Sequence, residues 1–173
     1  LSIKAFTNNG SGSVANVTAA VRYATEAGVD IINISASMRD SEEAAPLRLA
    51  IEDALSAGII VVAAAGNFGA DASGFIPANI EGVDTIGAVY PLDGLSAFAV
   101  APFSNYGPAL NYWYIAESTS EAAANETGIL CAVKEDLGWD ATNSWYRFTK
   151  VKYQDGGASE NADAYYSGFY KDA

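Results

Sequence analysis

The sequence contains no histidine in its 173 residues and only one cysteine, Cys131. Without an imidazole, no residue of this chain can act as a histidine base. A single cysteine excludes an internal disulfide and any zinc site built from several thiolates. Chemistry that needs either group therefore has to draw on residues outside this sequence.

Basic residues and long apolar runs are also scarce. Nine Lys and Arg stand against 21 Asp and Glu, which gives a net charge of −12. Nucleic-acid binding normally needs a basic face, so we exclude a nucleic-acid partner. A membrane span needs roughly 18–20 apolar residues, and the longest apolar run, residues 58–66, is about half that. We therefore predict no membrane span.

The composition that remains is that of a globular protein. Half of the residues are hydrophobic, and the length fits one soluble domain. The chain begins at Leu1 rather than Met and shows no signal-peptide pattern. We expect it to be a fragment of a longer protein.

Strand and helix patterns alternate along the first half of the chain. Residues 1–6 predict a short buried strand, and residues 29–35 predict a strand that is covered on both faces. Apolar residues at helical spacing begin at Val14, with Ser13 as the expected N-cap and Gly28 as the stop.

The same unit then repeats. Residues 41–57 predict a second helix, with two carboxylates in its first turn. Residues 59–65 predict a continuous apolar strand, and residues 83–89 and 97–103 predict two more. Strands alternating with helices predict an α/β fold, a parallel sheet with flanking helices and right-handed crossovers.

The character of the sequence changes after Ser118. An alanine-rich stretch at 121–125 predicts a helix, and the rest is rich in Trp, Tyr, Gly and Asn without a sustained period. We predict a boundary that separates an α/β core, residues 1–118, from a divergent aromatic-rich region or insertion, residues 119–173.

Three segments of the sequence stand out in order. They are residues 29–35 (VDIINIS), residues 58–67 (GIIVVAAAGN), and a third made of residues 75–78 (FIPA), 83–89 (VDTIGAV) and 103–108 (FSNYGP). Together they resemble the subtilases, the subtilisin-like serine protease family, and the second, which ends in Ala-Ala-Gly-Asn, is one of that family's more specific signatures. The resemblance covers about residues 1–118 and implies the three-layer core of that family.

The resemblance implies a role for Asn67 as the donor that binds the oxyanion. A side-chain amide at the end of a rigid strand is a fixed donor for the charge that develops in acyl transfer. The resemblance also implies a substrate-pairing edge and a substrate pocket wall. The edge is Ser35, Ala36 and Ser37, and the wall is Ala63, Ala64, Ala65 and Gly66.

Several positions depart from the family pattern or qualify it. The family edge is Ser-Leu-Gly, so Ala36 and Ser37 are departures. The resemblance implies a cis peptide bond before Pro77 and a cation site around that loop. Ala109 and Asn111 stand where that site would need carboxylates, so we predict no metal and no cofactor.

The sequence does not show the catalytic triad of the family. A subtilase needs Asp, His and Ser in that order, and the first two would lie upstream of Leu1. The family carries its nucleophile in Gly-Thr-Ser-Met-Ala at a helix start, and this sequence does not contain that motif. The serines of the second part are instead expected in loops, namely Ser118, Ser120, Ser144, Ser159 and Ser167. The nucleophile would then lie beyond Ala173 or be absent.

We therefore predict a fragment of a secreted or cell-surface serine endopeptidase, inactive as the isolated chain. Its partners would be a polypeptide substrate and the remaining parts of the same protease. Two alternatives stay open. One is a non-catalytic pseudoprotease or surface binding module, which the aromatic C-terminal part favours. The other is a dinucleotide-binding domain, because residues 10–15 (GSGSVA) match a G-x-G-x-x-A fingerprint.

Overall fold

The computed structural model describes residues 1–92 and 97–137. In this part of the chain a five-stranded sheet lies between two layers of helices, an α/β fold as predicted. Helices α1 (Val14–Glu26) and α2 (Ala45–Ser56) cover one face of the sheet, and helix α3 (Thr119–Leu137) covers the other.

Helix α1 spans Val14–Glu26 and begins where the sequence predicted. The Ser13 hydroxyl accepts a hydrogen bond from the Asn16 N–H at 3.1 Å, which caps the helix. The predicted strand over residues 1–6 is wrong: only Phe6 makes a bridge, to Gly12. The physical reason is exposure, since Leu1 is 78% exposed and Ala5 is the only buried residue of this segment.

Helix α2 spans Ala45–Ser56 and follows a single 3₁₀ turn, Glu42–Ala44. Its core-facing side buries Leu47, Ile51 and Ala54. Burying one Leu or Ile side chain contributes about 1.5–3 kcal/mol, so this stripe holds the helix on the sheet.

The sheet is mostly parallel. Strands β1 (Ile31–Ile34), β3 (Ile60–Ala64) and β5 (Asp84–Leu92) lie side by side in parallel. Strand β7 (Tyr112–Ile115), which the sequence analysis missed, pairs parallel with β5, whereas β6 (Ala97–Val100) pairs antiparallel with it. A separate two-stranded ribbon joins β2 (Met38–Arg39) to β4 (Phe75–Ile76).

Strand β3 lies at the centre of the packing. Val61 and Ala63 face α1 and α2, while Val62 and Ala64 face α3. Both faces are covered, which is why the strand reads as an unbroken apolar run.

Helix α3 spans Thr119–Leu137 and includes the predicted helix at 121–125. It packs against β1, β3 and β5, with Ala122 and Ala123 fully buried. Its N-terminus coincides with the predicted boundary after residue 118. The division into residues 1–118 and 119–173 stays a prediction, because residues 138–173 lie outside the described part of the chain.

Candidate active site

The candidate site lies where β1 and β3 end and α3 begins. Parallel strands present their carboxyl ends at one edge of a sheet, so Ser35 after β1 and Asn67 after β3 reach the same edge. Helix α3 brings Thr119 to that edge, 52 positions after Asn67, and Ser120, 85 positions after Ser35. Three distant segments therefore meet there.

Asn67 is held by its side-chain oxygen. The Oδ1 atom accepts one hydrogen bond from the Thr119 N–H, at 3.0 Å, and one from the Thr119 hydroxyl, at 2.9 Å. These two bonds orient the amide group. Asn67 is exposed, and its Nδ2 donates to no residue of the described chain. The arrangement therefore leaves a fixed amide donor facing outward.

Gly66 makes the close approach of these segments possible. Its N–H donates to the Thr119 hydroxyl at 3.2 Å, and its φ is +106°, a conformation that favours glycine. A Cβ at this position would lie 2.5 Å from Asn105 Nδ2 and 2.9 Å from Ser37 Oγ. Only glycine fits here without a shift of its neighbours.

Ser120 joins the first turn of α3 to the end of β1. Its hydroxyl donates to the Ser35 carbonyl at 3.2 Å, and the Ser35 hydroxyl donates to the Ser120 carbonyl, also at 3.2 Å. The expectation that Ser120 lies in a loop is wrong, because it is helical. Ser120 therefore directly follows Thr119, the residue that holds the Asn67 side chain.

The sequence did carry a signal for this helix start. Residues 118–121 read STSE, an S-x-x-E capping box. The Ser118 hydroxyl accepts from the Glu121 N–H at 3.2 Å, and the Glu121 carboxylate accepts from the Glu117 N–H at 2.9 Å. Thr119, Ser120 and Ala122 also match the Thr, Ser and final Ala of the family's nucleophile motif.

The predicted pocket wall is divided among three core clusters. Ala63 belongs to the cluster under α1 and α2, Ala64 to the cluster under α3, and Ala65 to a third cluster with Ala72 and Leu110. All three side chains are at most 2% exposed. Their role in a substrate pocket stays a prediction.

The residues of the predicted substrate-pairing edge differ in their surroundings. Ala36 packs against the core cluster under α1 and α2. Ser37 Oγ is buried and makes no hydrogen bond within the described residues. The segment continues into β2, which pairs with β4 through Met38 and Ile76.

An aromatic stack follows the oxyanion candidate. Phe68, 61% exposed, stacks on the buried ring of Phe75 with their centroids 5.0 Å apart. The guanidinium of Arg39 lies 5.2 Å from the Phe75 centroid, within the range of a cation–π interaction. The Ile76–Pro77 bond that follows is cis, as predicted.

A buried acidic side chain lies on the sheet-facing side of α3, further along the helix than Ser120. Glu126 is 1% exposed, and its carboxyl accepts a hydrogen bond from the Tyr114 hydroxyl. Burial raises the pKa of Glu126 to about 7, against a lowering by the Tyr114 hydrogen bond and with a smaller raising by Asp84. Burial likewise raises the pKa of Asp84 to about 6. Neither group touches Ser120 or Asn67 in the hydrogen bonds of the described residues.

Three further features of the described residues concern metal ligands, helix hydrophobicity and the glycine-rich stretch. Among residues 1–92 and 97–137, no group of three or more His, Cys, Asp and Glu side chains could hold a metal ion. Within the same residues, no helix is both long and apolar enough to cross a membrane. The glycine-rich stretch at 10–15 opens α1, but no strand precedes it and the Phe6 ring lies against Gly12. A dinucleotide fingerprint needs that strand and open glycines.

The chain is similar in sequence to known proteins. The model of the subtilase family matches residues 1–156. Among curated proteins, the chain is 36% identical over 111 residues to subtilisin-like protease 2 of Pseudogymnoascus destructans, a match that covers 64% of this chain and 26% of that protein. It is 38% identical over 107 residues to a thermophilic serine proteinase of Bacillus sp. strain AK1, covering 62% of this chain and 25% of that protein.

A solved structure supports the fold. The chain matches a cold-adapted subtilisin-like serine proteinase with a TM-score of 0.66 and 22% identity, over 77% of this chain and 52% of that one. The chain spans about a quarter of the length of the curated relatives it matches.

Proposed function

The chain belongs to the subtilase family of serine proteases, and on that basis we propose that it supplies the nucleophile and the oxyanion hole of a peptidase. In this proposal Ser120 is the nucleophile and Asn67 is the oxyanion donor. The complete protein then hydrolyses peptide bonds of polypeptides through an acyl-enzyme.

One observation carries the proposal. Thr119 holds the Asn67 side chain through two hydrogen bonds, and Ser120 is the next residue of the same helical turn. A nucleophile and an oxyanion donor have to face the same carbonyl group, and this contact ties their positions together.

The geometry suggests how the steps would proceed. The Ser120 hydroxyl attacks the carbonyl carbon of the scissile bond, and the carbonyl oxygen takes up the negative charge. Asn67 Nδ2 donates to that oxygen, and the Ser120 N–H is a second donor, since first-turn N–H groups lack partners within their helix. Loss of the amine leaves an ester on Ser120, which water then hydrolyses.

The base is the part that this chain does not contain. The Ser120 hydroxyl has to lose its proton to become a nucleophile, and a histidine oriented by an aspartate performs this step in serine peptidases. The sequence has no histidine. We propose that other residues of the complete protein bring the histidine to the Ser120 hydroxyl, which here donates to the Ser35 carbonyl.

The substrate and the location of the protein are part of the same proposal. An extended polypeptide would pair with the backbone of Ser35, Ala36 and Ser37 next to the nucleophile. Secretion or display at the cell surface stays a prediction.

Covalent labelling tests the nucleophile directly. A fluorophosphonate added to the complete protein should modify Ser120, as located by mass spectrometry of its peptides, and hydrolysis of a casein substrate should stop in step with labelling. S120A should abolish both. The control S56A changes an exposed serine at the end of α2 and should alter neither.

The oxyanion role is tested by N67A, which should lower kcat with little change in KM. In subtilisin, removing such a donor costs about 10²–10³-fold in kcat, and we expect a loss of that order. A protein that is folded but neither labelled nor hydrolytic would instead be the non-catalytic module considered above.

A further inference from the structure

Asn105 is a fully buried amide in the loop between β6 and β7. Its exposure is 0%. Burying a side-chain amide costs little free energy only where its N–H and C=O groups are hydrogen-bonded. The hydrogen-bond partners of the Asn105 amide lie in the segment on both sides of Asn67.

Four hydrogen bonds connect Asn105 to that segment. Its Oδ1 accepts from the Phe68 N–H at 3.0 Å and from the Ala70 N–H at 3.1 Å. Its Nδ2 donates to the Ala65 carbonyl at 2.8 Å. Its own N–H donates to the Gly66 carbonyl, also at 2.8 Å. Residues on either side of Asn67 are thus fixed to one side chain and its backbone.

The loop that carries Asn105 is itself anchored to the sheet. The Ser104 hydroxyl, 1% exposed, accepts from the Ala88 N–H in β5 at 3.0 Å. The Ala101 N–H donates to the Ala88 carbonyl at 2.9 Å. The position of Asn105 is therefore set by a central strand rather than by a mobile surface loop.

Two independent contacts then determine where the Asn67 amide points. Asn105 fixes the backbone before and after Asn67, and Thr119 fixes its side-chain oxygen. A donor contributes to catalysis only if it already points at the developing charge. A shift of the backbone at residue 67 would also displace the Asn67 Nδ2 atom.

We propose that Asn105 is a positioning residue for the oxyanion hole, acting through the backbone of residues 65–70 on Asn67. It touches neither the substrate nor the reacting atoms. This inference rests on the proposed role of Asn67 and extends it to a residue that would otherwise be taken for part of the core.

Steady-state kinetics of N105A in the complete protein tests the proposal. The variant should lose up to about 10²-fold in kcat, the effect of a displacement of about 1 Å in a catalytic group. KM should change less than kcat, because the substrate-pairing edge, residues 35–37, makes no hydrogen bond with Asn105. A loss confined to KM would overturn the proposal.

A double-mutant cycle separates positioning from general support of the fold. If Asn105 acts through Asn67, then N105A should have almost no further effect on kcat in an N67A background. Losses that multiply, as for independent sites, would overturn the proposal. The control N111A removes another amide of the loop between β6 and β7. Its Oδ1 accepts from the Thr85 N–H at 2.9 Å and not from residues 65–70, so the variant should leave kcat unchanged.

N105D provides a second readout that does not depend on the alanine variant folding. A neutral carboxylic acid keeps both acceptor positions and can donate to the Ala65 carbonyl, whereas a carboxylate cannot. The ratio of variant to wild-type kcat should therefore rise as the pH falls. A ratio that does not change with pH would count against the proposal.

These outcomes are distinct from failure of the proposed function. If S120A keeps full hydrolysis, or if N67A leaves kcat unchanged, the assignment of the site itself is wrong. If both behave as expected and N105A retains wild-type kcat, only the role of Asn105 is wrong.

Discussion

At the scale of single residues, Glu126 is the side chain that fits least with its surroundings. It is buried on the sheet side of α3, where its carboxyl accepts from the Tyr114 hydroxyl and interacts at longer range with Asp84 and Tyr112. A buried carboxyl avoids charge by holding its proton, which is why its pKa is raised to about 7.

This pKa predicts that stability falls as the pH rises. The unfolded chain loses the Glu126 proton near its ordinary pKa of 4.5, whereas the folded chain keeps it up to about 7. The contribution of the protonated form is therefore complete below about pH 4.5 and is lost as the pH rises through 7. The difference corresponds to about 3 kcal/mol. Asp84, with its pKa raised to about 6, acts in the same direction.

Urea unfolding of E126Q at pH 5 and pH 8 measures the contribution of Glu126. The amide can still accept from the Tyr114 hydroxyl but does not ionise, so the variant should lose less stability between the two pH values than the wild type. E52Q changes an exposed carboxylate on α2 and should behave as wild type. An equal loss in E126Q and wild type would show that another group titrates.

At the scale of elements, α3 connects the core to the site. Its N-terminal turn carries Thr119 and Ser120, and its following turns pack on β1, β3 and β5. The Ser118 cap determines at which residue the helix begins, and the start of the helix determines where the Ser120 hydroxyl lies.

The two capped helices give a matched pair of variants. Both S118A and S13A remove a hydroxyl that accepts from a backbone N–H of the first turn, at 3.2 Å and 3.1 Å. Each should cost about 1 kcal/mol of stability in chemical denaturation. Only S118A should also lower kcat in the complete protein, because α1 has no residue at the site. Equal kcat values for the two variants would show that the cap supports the helix without placing Ser120.

At the scale of the whole molecule, the candidate site would be an incomplete set of catalytic groups at one edge of the sheet. The chain holds the candidate nucleophile and oxyanion donor together, but it has no histidine. General-base activation of a serine hydroxyl contributes a large factor to the rate, and no carboxylate of the described residues hydrogen-bonds Ser120.

The 173-residue polypeptide expressed alone should therefore show no hydrolysis above that of its S120A variant. The measurement is release of a fluorophore from a quenched peptide after rigorous purification, with a circular dichroism spectrum to establish that the polypeptide is folded. Hydrolysis by the wild-type polypeptide that S120A abolishes would show that a base exists within these residues.

Much of the fold could be predicted from local patterns. The helical spacing after Val14, the capping serine at position 13 and the apolar run of residues 59–65 each depend on neighbours close in the chain. Burial of one face of a helix leaves a helical period in the sequence, and burial of both faces of a strand leaves a continuous apolar run. The predicted strand at residues 1–6 is wrong because an apolar run alone does not reveal whether a neighbouring strand is present.

By itself, the sequence determined the alternation of strands and helices, the acidity, the lack of a histidine base and the resemblance to a protease family. Only the tertiary structure decided that Ser35 and Ser120, 85 positions apart, exchange hydrogen bonds and that Asn105 fixes the segment around Asn67. The physical reason is that periodicity reports which side of an element is buried. The pairing of distant elements depends on strand order and on the packing of α3 across the sheet, and a short window of sequence contains neither.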